Sequence, residues 1–137
     1  MAHEIKVSTE SVNVKANAWA TAMNAGLIGI YNGAKPATAN TALGAATLLG
    51  ELTFGNPAFG AAVAGLLTAN AITKDSDADN TGVAQFYRLF KSDGTTPMGD
   101  GTCGLTGGGF DLEMPNTSIT IHGEITCNGF THQESLG

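Results

Sequence analysis

Ala84-Gln85-Phe86-Tyr87-Arg88-Leu89-Phe90-Lys91-Ser92, followed at once by Asp93-Gly94, is the stretch on which the fold turns. It is aromatic and free of glycine and proline, as strands are. Asp-Gly is a strong hairpin signal, because a type I′ turn needs positive φ at both central residues. Thr95-Thr96 then begins a return strand. Pro97 cannot donate to a ladder, so the return strand is expected at an edge or with a bulge. Phe86 and Phe90 point one way with Arg88 between them. Tyr87 and Leu89 point the other way with Gln85 and Lys91. Neither face is purely polar, which predicts a strand covered on both sides.

Outward from this stretch, the period-2 pattern recurs. Leu27–Asn32 reads as a strand ending at Asn32-Gly33, and Ala34–Asn40 as a loop in which Pro36 stops pairing. Thr47–Phe54 reads as a strand with Leu48, Leu52 and Phe54 on one face. Gly55, Pro57 and Gly60 break the next segment, and Gly65–Ile72 reads as another strand. Phe110–Met114 alternates strictly. Ser118–Thr131 alternates over its whole length, with Ile119, Ile121, Ile125 and Cys127 on one face, a bend or bulge at Gly123 and a register change near Gly129. Glycines at 99, 101, 104 and 107–109 are expected to bracket a short segment.

One helix is expected, over residues 12–25. Val12, Ala16, Trp19 and Met23 recur at helical spacing, Ser11 or Asn13 caps the start, and Gly26 closes the end. Trp19 reads as the anchor of this helix on the sheet, or as an anchor between subunits. Ile5 and Val7 alternate with polar neighbours, so residues 1–10 read as an N-terminal arm or edge strand. Residues 11–137 form the single domain. About eight short strands, one early helix and glycine-rich turns predict an all-β class, an antiparallel β-sandwich or jelly roll.

Composition narrows function by exclusion. The 137 residues suit one domain, and only 13% are charged, against about 25% in ordinary soluble domains. Few charges and many small residues suggest a surface partly covered in an assembly. Six lysines and arginines against a net charge of −6 leave no footprint for nucleic acid or anionic lipid. No apolar run approaches a membrane span, and the N-terminus lacks a secretory signal, so synthesis in a cytoplasm is expected. The two cysteines, Cys103 and Cys127, then read as unpaired structural thiols rather than a disulfide.

Chemistry is thin. Asp75, Asp77 and Asp79 alternate as carboxylates around a hard cation do, but Asn80 replaces the EF-hand glycine and Phe86 stands where the last acidic ligand belongs. The segment reads as a solvated acidic turn, with a calcium loop as the sharper alternative. His3, His122 and His132 fit no zinc spacing, and no nucleophile elbow, phosphate loop or dinucleotide fingerprint is present. No catalytic residue, no cofactor and no enzymatic activity are expected. Arg88 within an apolar strand needs a carboxylate, for which Asp111, Glu113 or Glu51 are the candidates, or else it makes a subunit contact.

The order of Leu27–Pro36, Leu48–Phe54, Ala84–Thr95 and Asn116–Ile119 resembles small proteins encoded among the structural genes of tailed bacteriophages, the capsid decoration or cement proteins of jelly-roll type. The likeness covers about residues 12–131. It implies a virion protein on the capsid surface whose partners are the major capsid protein and its own copies, as a dimer or trimer. Ile5, Val7, Trp19, Phe54, Phe59 and Arg88 are the interface candidates, with the N-terminal arm and the Phe54–Phe59 loop foremost. A tail or baseplate component, and a carbohydrate-binding or adhesin module, are the alternatives.

Overall fold

Strand β5 (Phe86–Phe90) lies at the centre of the five-stranded sheet, buried on both faces as expected. The structure, a computed structural model, describes residues 7–134. Around β5 stand α1 (Thr9–Ala22), β1 (Leu27–Asn32), β2 (Thr47–Thr53), β3 (Leu66–Thr68), β4 (Gly82–Val83), β6 (Pro97–Leu105), β7 (Leu112–Met114), β8 (Ser118–Ile119) and β9 (Thr131–Gln133). The sheet runs β2-β1-β5-β6-β7, and β3–β9 and β4–β8 are separate two-stranded ribbons. The chain is thus mostly β with one helix. Among the described residues all strand pairings are antiparallel but one: β7 runs parallel to β6, a correction to the uniformly antiparallel expectation.

Tyr87 and Leu89 of β5 join the main core with Ile28, Ile30, Leu52 and Phe54. On the other face Phe86 stacks on Tyr31, with ring centroids 5.0 Å apart, and Arg88 reaches the carbonyl of Thr38 in the loop between β1 and β2. That loop is what covers the second face. The hairpin after β5 is real but its turn differs from type I′. Only Gly94 takes a positive φ, Gly94 N donates to the carbonyl of Lys91, and Asp93 Oδ1 accepts from the amides of Thr95 and Thr96. Two amides converging on one carboxylate favour this longer loop over a two-residue turn.

The return strand is bulged, with Leu89 opposite Gly99 but Phe90 opposite Pro97, so Met98 is the extra residue. On its far side β7 pairs only with Cys103–Leu105, so the strand is at an edge around Pro97 and covered at its end. It also runs straight through Gly99, Gly101 and Gly104, where the glycines were expected to interrupt. Two of them are there for space. A Cβ at Gly101 would run into the Tyr87 hydroxyl, and one at Gly104 into the Phe110 ring.

The helix begins at Thr9, three residues before the expected start, because the Ser8 side chain rather than Ser11 or Asn13 caps it by accepting from Ser11 N. Thr9 and Glu10 are therefore helical, not part of an arm, and Ile5 lies outside the described residues. The helix ends at Ala22; Gly26 sits beyond it, where a Cβ would lie 2.7 Å from the Phe90 carbonyl. Val12, Ala16 and Ala20 bury their side chains. In β2, a bulge at Leu49 turns that residue into the core and leaves Leu48 only half-buried, so Leu48 does not share the face of Leu52 and Phe54 as expected.

The long alternating stretch is the largest correction. Only Ser118–Ile119 and Thr131–Gln133 are strand; His122 at φ 68 and Gly123 turn the chain between them. Ile119 and Ile125 are buried while Ile121 is 45% exposed, so the apolar side chains were spaced for separate contacts. The register change at Gly129 is present, at φ 126, and it brings Phe130 into the core. The strand expected over 65–72 is likewise confined to Leu66–Thr68. No helix among the described residues is long and apolar enough to cross a membrane.

Candidate binding surface

The acidic segment turns out to be an edge cap. Asp75 Oδ2 accepts from Glu51 N at 2.9 Å, Asp79 N donates to the carbonyl of Leu49, Asn80 Nδ2 donates to that of Leu48, and Thr73 bridges Thr53. Together they occupy the outer edge of β2, which would otherwise offer free backbone groups to another chain. Asp75 Oδ1 accepts from Asp77 N, and Asp77 Oδ1 lies 2.7 Å from His122 Nδ1. Among the described residues, no three histidine, cysteine or acidic side chains converge as a metal site would require. Glu51 beside this segment has its carboxyl held above the usual range by burial first, then by Asp79 and Asp75.

Arg88 pairs with Asp100, not with Asp111, Glu113 or Glu51. The contact is bidentate, Nε to Oδ1 at 2.6 Å and Nη2 to Oδ2 at 2.9 Å, and both side chains are about 95% buried, at 5% and 4% exposure. Hydrogen bonding to Asp100 raises the guanidinium further above its usual range. The pair pins the covering loop to β5 through Thr38.

The other candidates are mostly internal. Phe54 and Phe59 are 2% and 5% exposed and pack in an aromatic cluster with Phe130, so neither presents its ring to a partner. Trp19 is half-buried between Phe59 and His132, stacked on the imidazole at 4.1 Å, and docks α1 on the β3–β9 ribbon. Val7 is half-buried before the helix cap. The two thiols are free; burial pushes Cys103 up to about 12 and raises Cys127 as well.

A trough that sequence reasoning missed lies between β9 and the segment leading into β7. It consists of two adjoining hollows of about 460 and 380 Å³ that share Phe110, Asp111, Phe130 and Thr131. Phe110 follows the glycines at 107–109, lies over Gly104 and remains 43% exposed. Asp111 Oδ2 accepts from Thr102 N and Oγ1, which fixes the carboxylate on the wall. Tyr87 is only 5% exposed and lines the larger hollow; its hydroxyl is raised above the usual range by burial first, then by Asp111. The signal available in the sequence was an aromatic directly after a triple glycine, a ring set on a loop rather than in a strand.

Among the described residues, fold and surface define a β-rich chain with one helix, loops in contact with both edges of its main sheet, and a trough beside β9. Compared with protein family models, curated proteins and solved structures, the chain finds no match.

Proposed function

We propose that this chain is a structural virion protein that binds the outside of a bacteriophage capsid and stabilises the shell as a decoration, or cement, protein, and that its strands belong to the sandwich or jelly-roll class. The observation that carries the reading is the surface. Val14, Val63, Val83, Leu105, Phe110 and Ile121 are between 43% and 73% exposed on a chain with only 13% charged residues. They stand on the helix, on turns and at strand ends, not around a reaction centre, as suits broad contact with a shell. The segments that resemble decoration proteins fall on β1, β2, β5 with its turn, and β8. The partners are the major capsid protein and further copies of the chain, as a dimer or trimer. No enzymatic activity is proposed.

A tail role differs only in its partner. A sugar-binding role gains no observation from Trp19 or Tyr31, since Trp19 packs on Phe59 and His132 and Tyr31 on Phe86. The test is cosedimentation of the purified chain with phage shells stripped of it, together with its native mass. Saturable binding in a fixed ratio to the shell protein is expected. Absence of shell binding, with rings or tubes in solution, would transfer the chain to the tail.

A further inference from the structure

The trough beside β9 has the features of a strand-addition site. In the β3–β9 ribbon, Glu134 N donates to the carbonyl of Gly65 and Ala69 N to that of Phe130. Antiparallel pairs alternate between bonded and unbonded, so Leu67 and His132 are the bonded pair between these two. The N–H and C=O groups of Thr131 and Gln133 therefore point away from β3. The same parity holds on β3, where Leu66 and Thr68 turn outward to Val63 and Gly60. On β9 the outward side is the trough, which Thr131 and Gln133 line.

A second observation points to an occupant. The Tyr87 side chain is buried, yet its hydroxyl makes no hydrogen bond within the described residues. Among the described residues no side-chain polar atom is sealed away without a partner, and Tyr87 lines the trough, so this hydroxyl opens on it. Asp111 lines the same hollow, and its Oδ1 accepts from no group among the described residues, the other oxygen being taken by Thr102. Glu113 lines the adjoining hollow, and among the described residues no lysine or arginine lines either. Two free acceptors in a negative trough call for a cation, and outward backbone groups beside them call for an extended main chain.

We propose that the trough binds an extended segment of another protein, added as a strand along β9, with a lysine or arginine side chain directed at Asp111 Oδ1 and the Tyr87 hydroxyl. The three residues of β9 offer about 10 Å of edge, enough for a short segment whose main chain supplies affinity and whose basic side chain supplies selectivity. Phe110, on its glycine loop, forms the opposite wall. The site rests on the binding role above only for the source of the segment, a shell protein in that reading.

The experiment uses the whole chain and capped synthetic heptapeptides of alternating threonine and valine with one varied central position. Lysine and arginine peptides are expected to bind about tenfold more tightly than the glutamate peptide, and to perturb and slow the exchange of the Thr131 and Gln133 amides. Tyr87→Phe removes only a hydroxyl without a protein partner, so the fold survives; binding should weaken by about 2- to 10-fold. Thr131→Pro deletes an outward donor and leaves the β3 ladder intact, and should weaken binding at least as much. The site is overturned if none of the peptides binds at about 1 mM, if glutamate serves as well as lysine, or if the perturbed amides lie elsewhere. Self-association abolished by Thr131→Pro would overturn it too, in favour of a second copy. The peptides carry no capsid sequence, so failure here leaves shell binding standing, and shell binding unaffected by both variants would separate the shell contact from this trough.

Discussion

Arg88 and Asp100 face each other across β5 and β6 with their charges almost fully withdrawn from water. Removing one partner strands the other, and a stranded buried charge costs about 3–5 kcal/mol, whereas replacing both with apolar groups of similar size is about neutral. Arg88→Met is therefore expected to lower the urea midpoint sharply, and Arg88→Met with Asp100→Leu to restore most of it; equal losses in both would show that the charges matter little. That Arg88 needs a carboxylate was legible from its apolar neighbours. Which carboxylate was not, because the bulge at Met98 decides it. Carried on without the bulge, the Phe90–Pro97 register sets Arg88 opposite Gly99; the extra residue brings Asp100 there instead. Glu51 makes a pH-dependent case. Its carboxyl is raised in the folded chain, so it binds its proton more tightly there than in the unfolded chain. It favours folding below its ordinary value of 4.5, and this contribution is lost as pH rises through the raised value. Glu51→Gln should raise the denaturation midpoint at pH 7, with the difference from the native chain disappearing as pH falls below 4.5. A variant equally or less stable at pH 7 would refute the burial and the repulsion from Asp75 and Asp79.

At the scale of elements, the segment from Thr73 to Asn80 closes the edge of β2, and the Asp75 carboxylate is its centre, accepting from the amides of Glu51 and Asp77. Hydrogen bonds to a charged group contribute about 1.5–3 kcal/mol. Asp75→Ala should reduce stability by about that much and expose the Glu51 amide to hydrogen exchange, while calcium leaves the melting temperature of the native chain unchanged. A calcium-dependent rise lost in Asp75→Ala would restore the metal reading. Elements with tight local signals were legible: β5 lies where aromatic residues run without glycine or proline, and its pairing with β6 follows from the turn between them, whereas no turn announces the pairing of β1 with β5. The stretch from Ser118 to Thr131 misled because alternation reports which side chains are apolar, not that one sheet receives them. Ile119 meets β4, Ile125 meets Asp75 across a single bridge, and the chain turns at His122 between the two. The loop over the second face of β5 was equally hidden, since its cover is a backbone carbonyl, at Thr38, which any sequence supplies.

For the whole molecule, low charge and scattered apolar exposure bear on how it binds a shell. The 18 charged side chains, 12 acidic and 6 basic, include several already committed within the described residues: Arg88 to Asp100, Lys74 to Glu124, and Asp75 to the β2 edge. A partner that matched the net charge of −6 by long-range attraction alone would lose that attraction within a Debye length of about 8 Å at physiological salt. Apolar burial does not weaken with added sodium chloride. Shell binding is therefore expected to change by less than about fivefold between 50 and 500 mM salt, the one ion pair at Asp111 accounting for most of the change. It should also show a negative heat-capacity change on binding. Isothermal titration against stripped shells at the two salt concentrations measures both. An affinity that collapses at high salt, with a heat-capacity change near zero, would mean that charge rather than Val14, Val63, Leu105 and their neighbours makes the contact, and would shift the shell-facing surface to the acidic segment along β2.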